Sequence, residues 1–268
     1  MNLEGNRTAQ TRKDEAFTLI ELLVVITIIA ILSTLMIPAT NSVISSARAT
    51  TASSALRDIT NTTINWTVDN GNRLPSPIYS DVDPEDVQEL NPLGTGLWCD
   101  GAIYNTMYPP DPLSGESMAL SPPPSRATAG GHLVDTVFES KASIRLNPQE
   151  TNWYRHGYGM NKNLVYDEIN QSAPDPWLTE KSMANIKFMP SAMIYMDSFE
   201  SVINSTMVMN GSGEGSILGN AAARYRNKFL LVAFLDGHVV RMHPNEILSL
   251  QGRDFTRFWQ GVDPDRAK

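Results

Sequence analysis

The chain has little cysteine, few aromatic residues and a deficit of positive charge. One of its 268 residues is cysteine, Cys99, so no disulfide closes within the chain and a small stapled secreted fold is excluded. That thiol is read as a buried or half-buried apolar group. Lys and Arg number 21 against 29 Asp and Glu, a formal net charge of -8. A sequence-independent nucleic-acid binder needs a basic face to neutralise phosphates, so no nucleic-acid partner is expected. The four histidines, His132, His156, His238 and His243, form no HExxH pattern, and one cysteine cannot make the Cys-rich zinc patterns. Gly211-Ser-Gly-Glu-Gly215 lacks the GK[ST] of a phosphate loop, and Ser212 lies in no GxSxG elbow. No nucleophile, base and orienter assemble from spacing, so no enzyme, cofactor or metal site is expected. The length suits one sizeable soluble domain plus an anchor.

There is one long apolar run. After a polar stretch, Met1 to Ala16, the chain turns abruptly apolar at Phe17 and reads FTLIELLVVITIIAILSTLMI to Ile37. That is about the ~20 residues a helix needs to cross a hydrocarbon core. It is longer than the apolar region of a secretory signal and ends in Met36-Ile37-Pro38-Ala39 rather than a small-x-small cleavage site. Glu21 stands inside it, where a carboxylate is costly unless paired. A cut between Ala16 and Phe17 would create an α-amino group four residues from Glu21, within reach along a helix. In a helical assembly the same carboxylate would neutralise a neighbouring subunit's terminus. As an ordinary anchor residue it would snorkel at the headgroups.

Ala16-Phe17-Thr18-Leu19-Ile20-Glu21 resembles the prepilin peptidase site of type IV pilins and type II secretion pseudopilins. The resemblance implies cleavage before Phe17, N-methylation of its new amine, and roles in assembly for Glu21 and for Pro38, which falls where these proteins carry a helix-kinking proline. Ala16 replaces the usual Gly, and Asp14 and Glu15 stand where the leader is usually neutral or basic, which implies slower cleavage. The implied partners are prepilin peptidase, other pilin-like subunits, the inner-membrane assembly platform and the lipid bilayer. The implied location is the inner membrane, single-pass, with the head in the periplasm or drawn into a periplasmic or surface filament. The rival readings are a single-pass anchored periplasmic binding module that never polymerises, with Trp98, Trp153 or Trp177 offered for recognition, and a secreted enzyme cleaved by ordinary signal peptidase.

Beyond Pro38, the residues Val43, Ala47, Ala52, Leu56, Ile59, Thr63 and Trp66 recur at helical spacing. Asn70-Gly71-Asn72 supplies a stop, with Pro75 and Pro77 beyond it. The sequence therefore predicts one helix from Phe17 to Asp69, kinked at Pro38. About 74–147 is rich in Pro, Gly, Asp and Ser and is read as a loop-dominated insertion. Ser121-Pro-Pro-Pro124 is read as a linker. Asp81-Val-Asp-Pro-Glu-Asp86 has hard oxygen ligands of the kind Ca²⁺ takes, but it lacks EF-hand spacing and is read as a solvated acidic loop.

Ala192–Asp197 alternates like a half-buried strand. Phe229–Leu235 and His238–Met242 flank Asp236-Gly237, which predicts a two-residue type I′ hairpin with Leu231 facing Met242, Ala233 facing Val240 and Leu235 facing His238. Asp236 and His238 are assigned to the turn. Phe234-Leu-Asp-Gly-His-Val239 resembles a C-terminal segment of large bacterial prepilin-like proteins, although Arg226 replaces the histidine often found upstream. Tyr158-Gly-Met-Asn161 and Phe258-Trp-Gln-Gly-Val-Asp-Pro264 resemble further segments of that group.

The predicted class is α+β: a long N-terminal helix, half membrane and half amphipathic, on a small antiparallel sheet with a loop-rich insertion. The expected organisation is a leader (1–16), a transmembrane and assembly helix (17–38), its amphipathic continuation (39–70) and a periplasmic head (71–268).

Overall fold

The computed structural model of the protein describes residues 18–75, 77, 102–109, 136–142, 157–165, 182–200, 202–209, 224–225 and 228–263. The chain divides into two compact units, Met1–Ile44 and Ser45–Lys268. Helix α1 spans Leu19–Asp69 and runs through Pro38 without a break in its helical assignment. It stops where expected. Asn70 N donates to Trp66 O at 3.0 Å and Asn72 N to Thr67 O at 2.9 Å, with Gly71 and Asn72 at φ +70° and +62°, the left-handed exit that satisfies a helix's last carbonyls.

Within the second unit, the helix face that meets the core begins at Ala49 and continues through Ala52, Ala55, Leu56 and Ile59. Val43 and Ala47, part of the predicted stripe, are exposed. Thr60, Thr63 and Thr67 are also fully buried. Each hydroxyl donates to the carbonyl four residues back, and Thr63 also shares a 2.8 Å hydrogen bond with the Tyr195 hydroxyl. Buried hydroxyls are tolerated here because each has a partner.

The sheet has five strands in the order β3-β1-β2-β4-β5: β1 Tyr158–Asn161, β2 Met193–Asp197, β3 Val202–Ile203, β4 Leu230–Phe234 and β5 Val239–Met242. It is mixed rather than wholly antiparallel, since β1 and β3 pair in parallel. The chain leaves β2, crosses β1 and pairs on its far side. A Cβ at Gly159 would lie 2.7 Å from Glu200 O and from Ile203 Cγ2, and 2.9 Å from Ser198 Cβ. The missing side chain is what makes room for the crossing.

The hairpin forms with a different turn. Gly237 N donates to Phe234 O and Phe234 N donates to His238 O, each at 2.9 Å, which leaves a three-residue loop with Gly237 at φ +90° and a bulge after the turn. The register accordingly differs by one from the two-residue expectation. Leu231 faces Arg241, Val232 faces Val240 and Ala233 faces Val239. A shift of one exchanges the faces of β5. Leu231, Ala233 and Leu235 join the cluster under α1, whereas Leu230, Val232 and Phe234 face the other way.

That second face is the larger departure. Strand β2 is not half-buried: all five of its residues are buried. Its far side is covered by a cluster that includes Ile247, Phe258 and Trp259, contributed by two further helices, Pro244–Leu248 and Gly252–Gln260. Sequence reasoning did not anticipate this layer, although the unbroken apolar run Phe229–Leu235 is the pattern of a strand buried on both sides. The described part of the insertion is not all loop either. A short helix, Ala102–Met107, buries Ile103 and Tyr104 completely and sets the Tyr104 ring 5.9 Å from that of Phe138, tilted by 32°.

Candidate processing and assembly segment

Ala16 and Phe17 lie outside the described residues; Thr18, Glu21 and the helix that follows do not. Thr18 and Glu21 close a reciprocal cap. Glu21 N donates to Thr18 Oγ1 at 3.3 Å, and Thr18 N donates to Glu21 Oε2 at 2.8 Å. The Thr18 hydroxyl donates to the same Oε2 at 2.8 Å. This is a capping box: a helix start leaves its first N–H groups without partners, and a Thr with a Glu three residues on satisfies two of them. The pattern Thr18-x-x-Glu21 was readable, but the sequence reading looked for a cation for Glu21 and overlooked the threonine beside it.

From Leu19 to Ile37 every described Leu, Ile, Val and Met is exposed, from 46% at Val24 to 89% at Leu19. The run Leu22–Ile26 alone, at 100° per residue, covers the full circumference. A surface helix of a soluble domain buries one stripe, and exposed apolar patches of this extent mark an interface with lipid or protein. Two hydroxyls inside the run are satisfied by the helix itself: those of Thr27 and Thr34 donate to Val24 O and Ile31 O at 2.8 Å and 2.7 Å. Such internal bonding is what an apolar surrounding requires. Pro38 stands within the helical span and has no N–H to offer the Thr34 carbonyl. Among the described residues no helix is long and apolar enough to cross a membrane; Phe17 and the side chain of Leu35, both within the apolar run, are not among them.

The head shows where its other conspicuous residues go. Asp197, fully buried, accepts from Arg224 Nη1 at 2.9 Å and from Leu231 N at 2.8 Å. Arg224 Nη1 also donates to Gly157 O at 2.8 Å, and its Nη2 donates to Ser198 O. Burial pushes the Asp197 carboxyl above the ordinary carboxylate range, against the opposing pull of Arg224. Burial, and next the Asp197 charge, keep the Tyr158 and Tyr225 phenols protonated well above their usual range. This network joins the start of β1, the end of β2 and β4.

Tyr158-Gly-Met-Asn161 is absorbed by the same architecture. Asn161 Nδ2 donates to Met193 O at 2.7 Å and to Trp259 O at 2.9 Å, tying β1 to β2 and to the last helix. The Asp236 carboxylate accepts from His238 N at 3.1 Å and contacts the ring Nδ1, while the imidazole stacks on Phe234 at 4.5 Å. His243 caps the helix Pro244–Leu248 reciprocally with Glu246. Among the described residues no three His, Cys, Asp or Glu are grouped to hold a metal ion. His132, His156, Cys99, Trp98, Trp153, Trp177, Asp81–Asp86, Ser121–Pro124, Gly211–Gly215 and Arg226 lie outside the described residues.

Comparison with known proteins adds one finding. Residues 11–37 match the prokaryotic N-terminal methylation motif. Neither the curated proteins nor the solved structures contain a match to the chain. The matched segment contains Ala16, Phe17, Thr18 and Glu21 and ends one residue before Pro38; the hairpin and the Tyr158–Asn161 strand lie outside it. On that segment the chain carries the prepilin-type N-terminal signal, and there it is similar to type IV pilins and pseudopilins.

Proposed function

We propose that the chain is a pseudopilin or pilin-like structural subunit, cut between Ala16 and Phe17 by prepilin peptidase, methylated on Phe17 and assembled through its N-terminal helix. In this reading Met1–Ala16 is a leader and Phe17–Pro38 is a membrane and assembly helix. The rest of α1 carries a periplasmic head, and Glu21 and Pro38 serve in assembly. The filament is a type II secretion pseudopilus or a type IV pilus-like fibre, built on an inner-membrane platform from this and other pilin-like subunits.

The observation that carries the reading is the methylation motif over residues 11–37. The helix behind it supports the same conclusion, because its apolar side chains are exposed all round. Before assembly that surface is covered by lipid; afterwards it is covered by the helices of other subunits, and the exchange of one apolar surrounding for another makes extraction from the bilayer affordable in free energy. N-terminal mass spectrometry of the protein purified from membranes is the test. A start at N-methylated Phe17 is expected. An intact leader means a plain anchored module or inefficient cutting at Ala16, and an Ala16→Gly variant that also keeps its leader then rejects the proposal; a start after Ala39 means ordinary secretion and rejects it directly.

A further inference from the structure

The exposed apolar surface of α1 does not end at Pro38. Val43 and Ile44 beyond it are exposed as well, the Thr40 hydroxyl donates back into the helix at Met36 O, 2.9 Å away, and no charged residue stands between Glu21 and Arg48. The two charges that bracket this stretch reach the same way, because side chains on a helix lean toward its N-terminus. Glu21 Oε2 accepts from Thr18 N at 2.8 Å. The same lean carries the Arg48 guanidinium about one turn back, to the level of Ile44. The ~26 steps from Thr18 to Ile44 make ~39 Å of helix at ~1.5 Å each, close to the ~40–45 Å of a bilayer with its headgroup layers. The middle ~30 Å, the thickness of the hydrocarbon alone, then runs from about Glu21 to about Asn41. Arg48 is half-exposed and, among the described residues, has no ion pair or side-chain hydrogen bond.

Resting on the membrane reading above and going beyond it, we propose that Arg48 binds the phosphate of a phospholipid headgroup in the leaflet opposite Glu21, so that the lipid-covered shaft of α1 continues past Pro38 to Ile44. A guanidinium offers parallel N–H donors that match two phosphate oxygens as a fork, and its apolar stem lies along the helix while the charged end stays with the headgroups. Lipid is the occupant that the dimensions select. Another subunit's helix would cover Val43 and Ile44 equally well, but it would not supply a phosphate one bilayer thickness from Glu21 for an unpaired cation. The two charges then set the depth of the shaft, since sliding in either direction draws one of them into hydrocarbon, which is strongly unfavourable.

The test is solid-state NMR of the full chain reconstituted into vesicles of phosphatidylethanolamine and phosphatidylglycerol in phosphate-free buffer. Arginine is labelled with ¹³C at the guanidinium carbon, and the leader's arginines are replaced (Arg7→Gln, Arg12→Gln) so that they add no signal. Dephasing of the guanidinium carbon by lipid ³¹P is expected, is lost in Arg48→Gln and is retained in Arg57→Gln, one further exposed position on the same helix. Dephasing that survives Arg48→Gln overturns the proposal, as does its absence from the starting protein. The same dephasing in detergent with inorganic phosphate would assign a site for a free anion and also overturns it. A chain that does not float with the vesicles, or that alkaline carbonate strips from them, defeats the membrane reading itself, and this failure is recognised before any spectrum is recorded.

Discussion

The two halves of α1 meet opposite demands with the same backbone. Between Leu19 and Ile44 the described large apolar side chains are exposed, and the one charged residue, Glu21, has Thr18 as its partner among the described residues. Between Ala49 and Thr67 the side chains that face the core, alanines and threonines together with Leu56 and Ile59, are buried, and the threonine hydroxyls are satisfied by the helix or by Tyr195. Large exposed apolar groups leave a surface to be covered from outside. Buried groups with satisfied hydroxyls complete the core from within. Helical periodicity is common to both, so the chemistry of each face decides whether the chain or another molecule covers it.

The contrast is sharpest between the two carboxylates. Asp197→Asn leaves Arg224 buried without its counter-charge, and the expected cost to the head is about 3–5 kcal/mol. Glu21→Leu is expected to leave the unfolding midpoint of the head unchanged and to abolish incorporation into fibres. Denaturant unfolding in detergent together with fibre recovery checks both; normal incorporation of the Glu21 variant would break the comparison.

Next in size is truncation of apolar side chains along the helix. Leu56→Ala removes a fully buried side chain and is expected to cost about 2–5 kcal/mol, whereas Ile29→Ala, on the exposed half, is expected to change head unfolding by less than about 0.5 kcal/mol. Gly159→Ala should cost about 1–3 kcal/mol, because a methyl there meets the Glu200 carbonyl oxygen at 2.7 Å. Hydrogen exchange of Val202 and Ile203 reports whether the β3 crossover is what gives way.

Two smaller effects test the polar contacts of the head. Thr63→Val removes the hydrogen bond shared with the Tyr195 hydroxyl and is expected to cost about 1 kcal/mol, while Tyr195→Phe leaves Thr63 its bond to Ile59 O; a double-mutant cycle separates the shared term. The alkaline response follows from the buried phenols. Their folded pKa lies above the ordinary 10.0, so their contribution is fully present below that pH and is lost as pH rises past it, when the unfolded chain ionises and the folded chain does not. Each phenol adds a slope of up to ~1.4 kcal/mol per pH unit above ~10. Melting temperatures measured from pH 8 to 11 should fall, and Tyr158→Phe should make the fall shallower.

What the sequence alone determined were the features that act within a few residues. These include the apolar run and its abrupt start at Phe17, the prepilin-type signal, the helix and its exit at Asn70-Gly71-Asn72, and the existence of a hairpin around Asp236-Gly237. Neighbouring residues are held together by the chain itself, so spacing and residue type suffice to read them. The capping pair Thr18 and Glu21 belonged to this group and was overlooked.

What only the tertiary structure decided were contacts between distant segments. Whether the hairpin loop held two residues or three depended on how β4 lay between its two cores, and that in turn selected Arg241 rather than Met242 to face Leu231. The second core against Phe258 and Trp259, the chain crossing at Gly159 and the Asp197–Arg224 pair bring together residues far apart in sequence. A residue's type shows that it will be buried; which partner buries it is settled only when every apolar face competes for the same interior at native packing density.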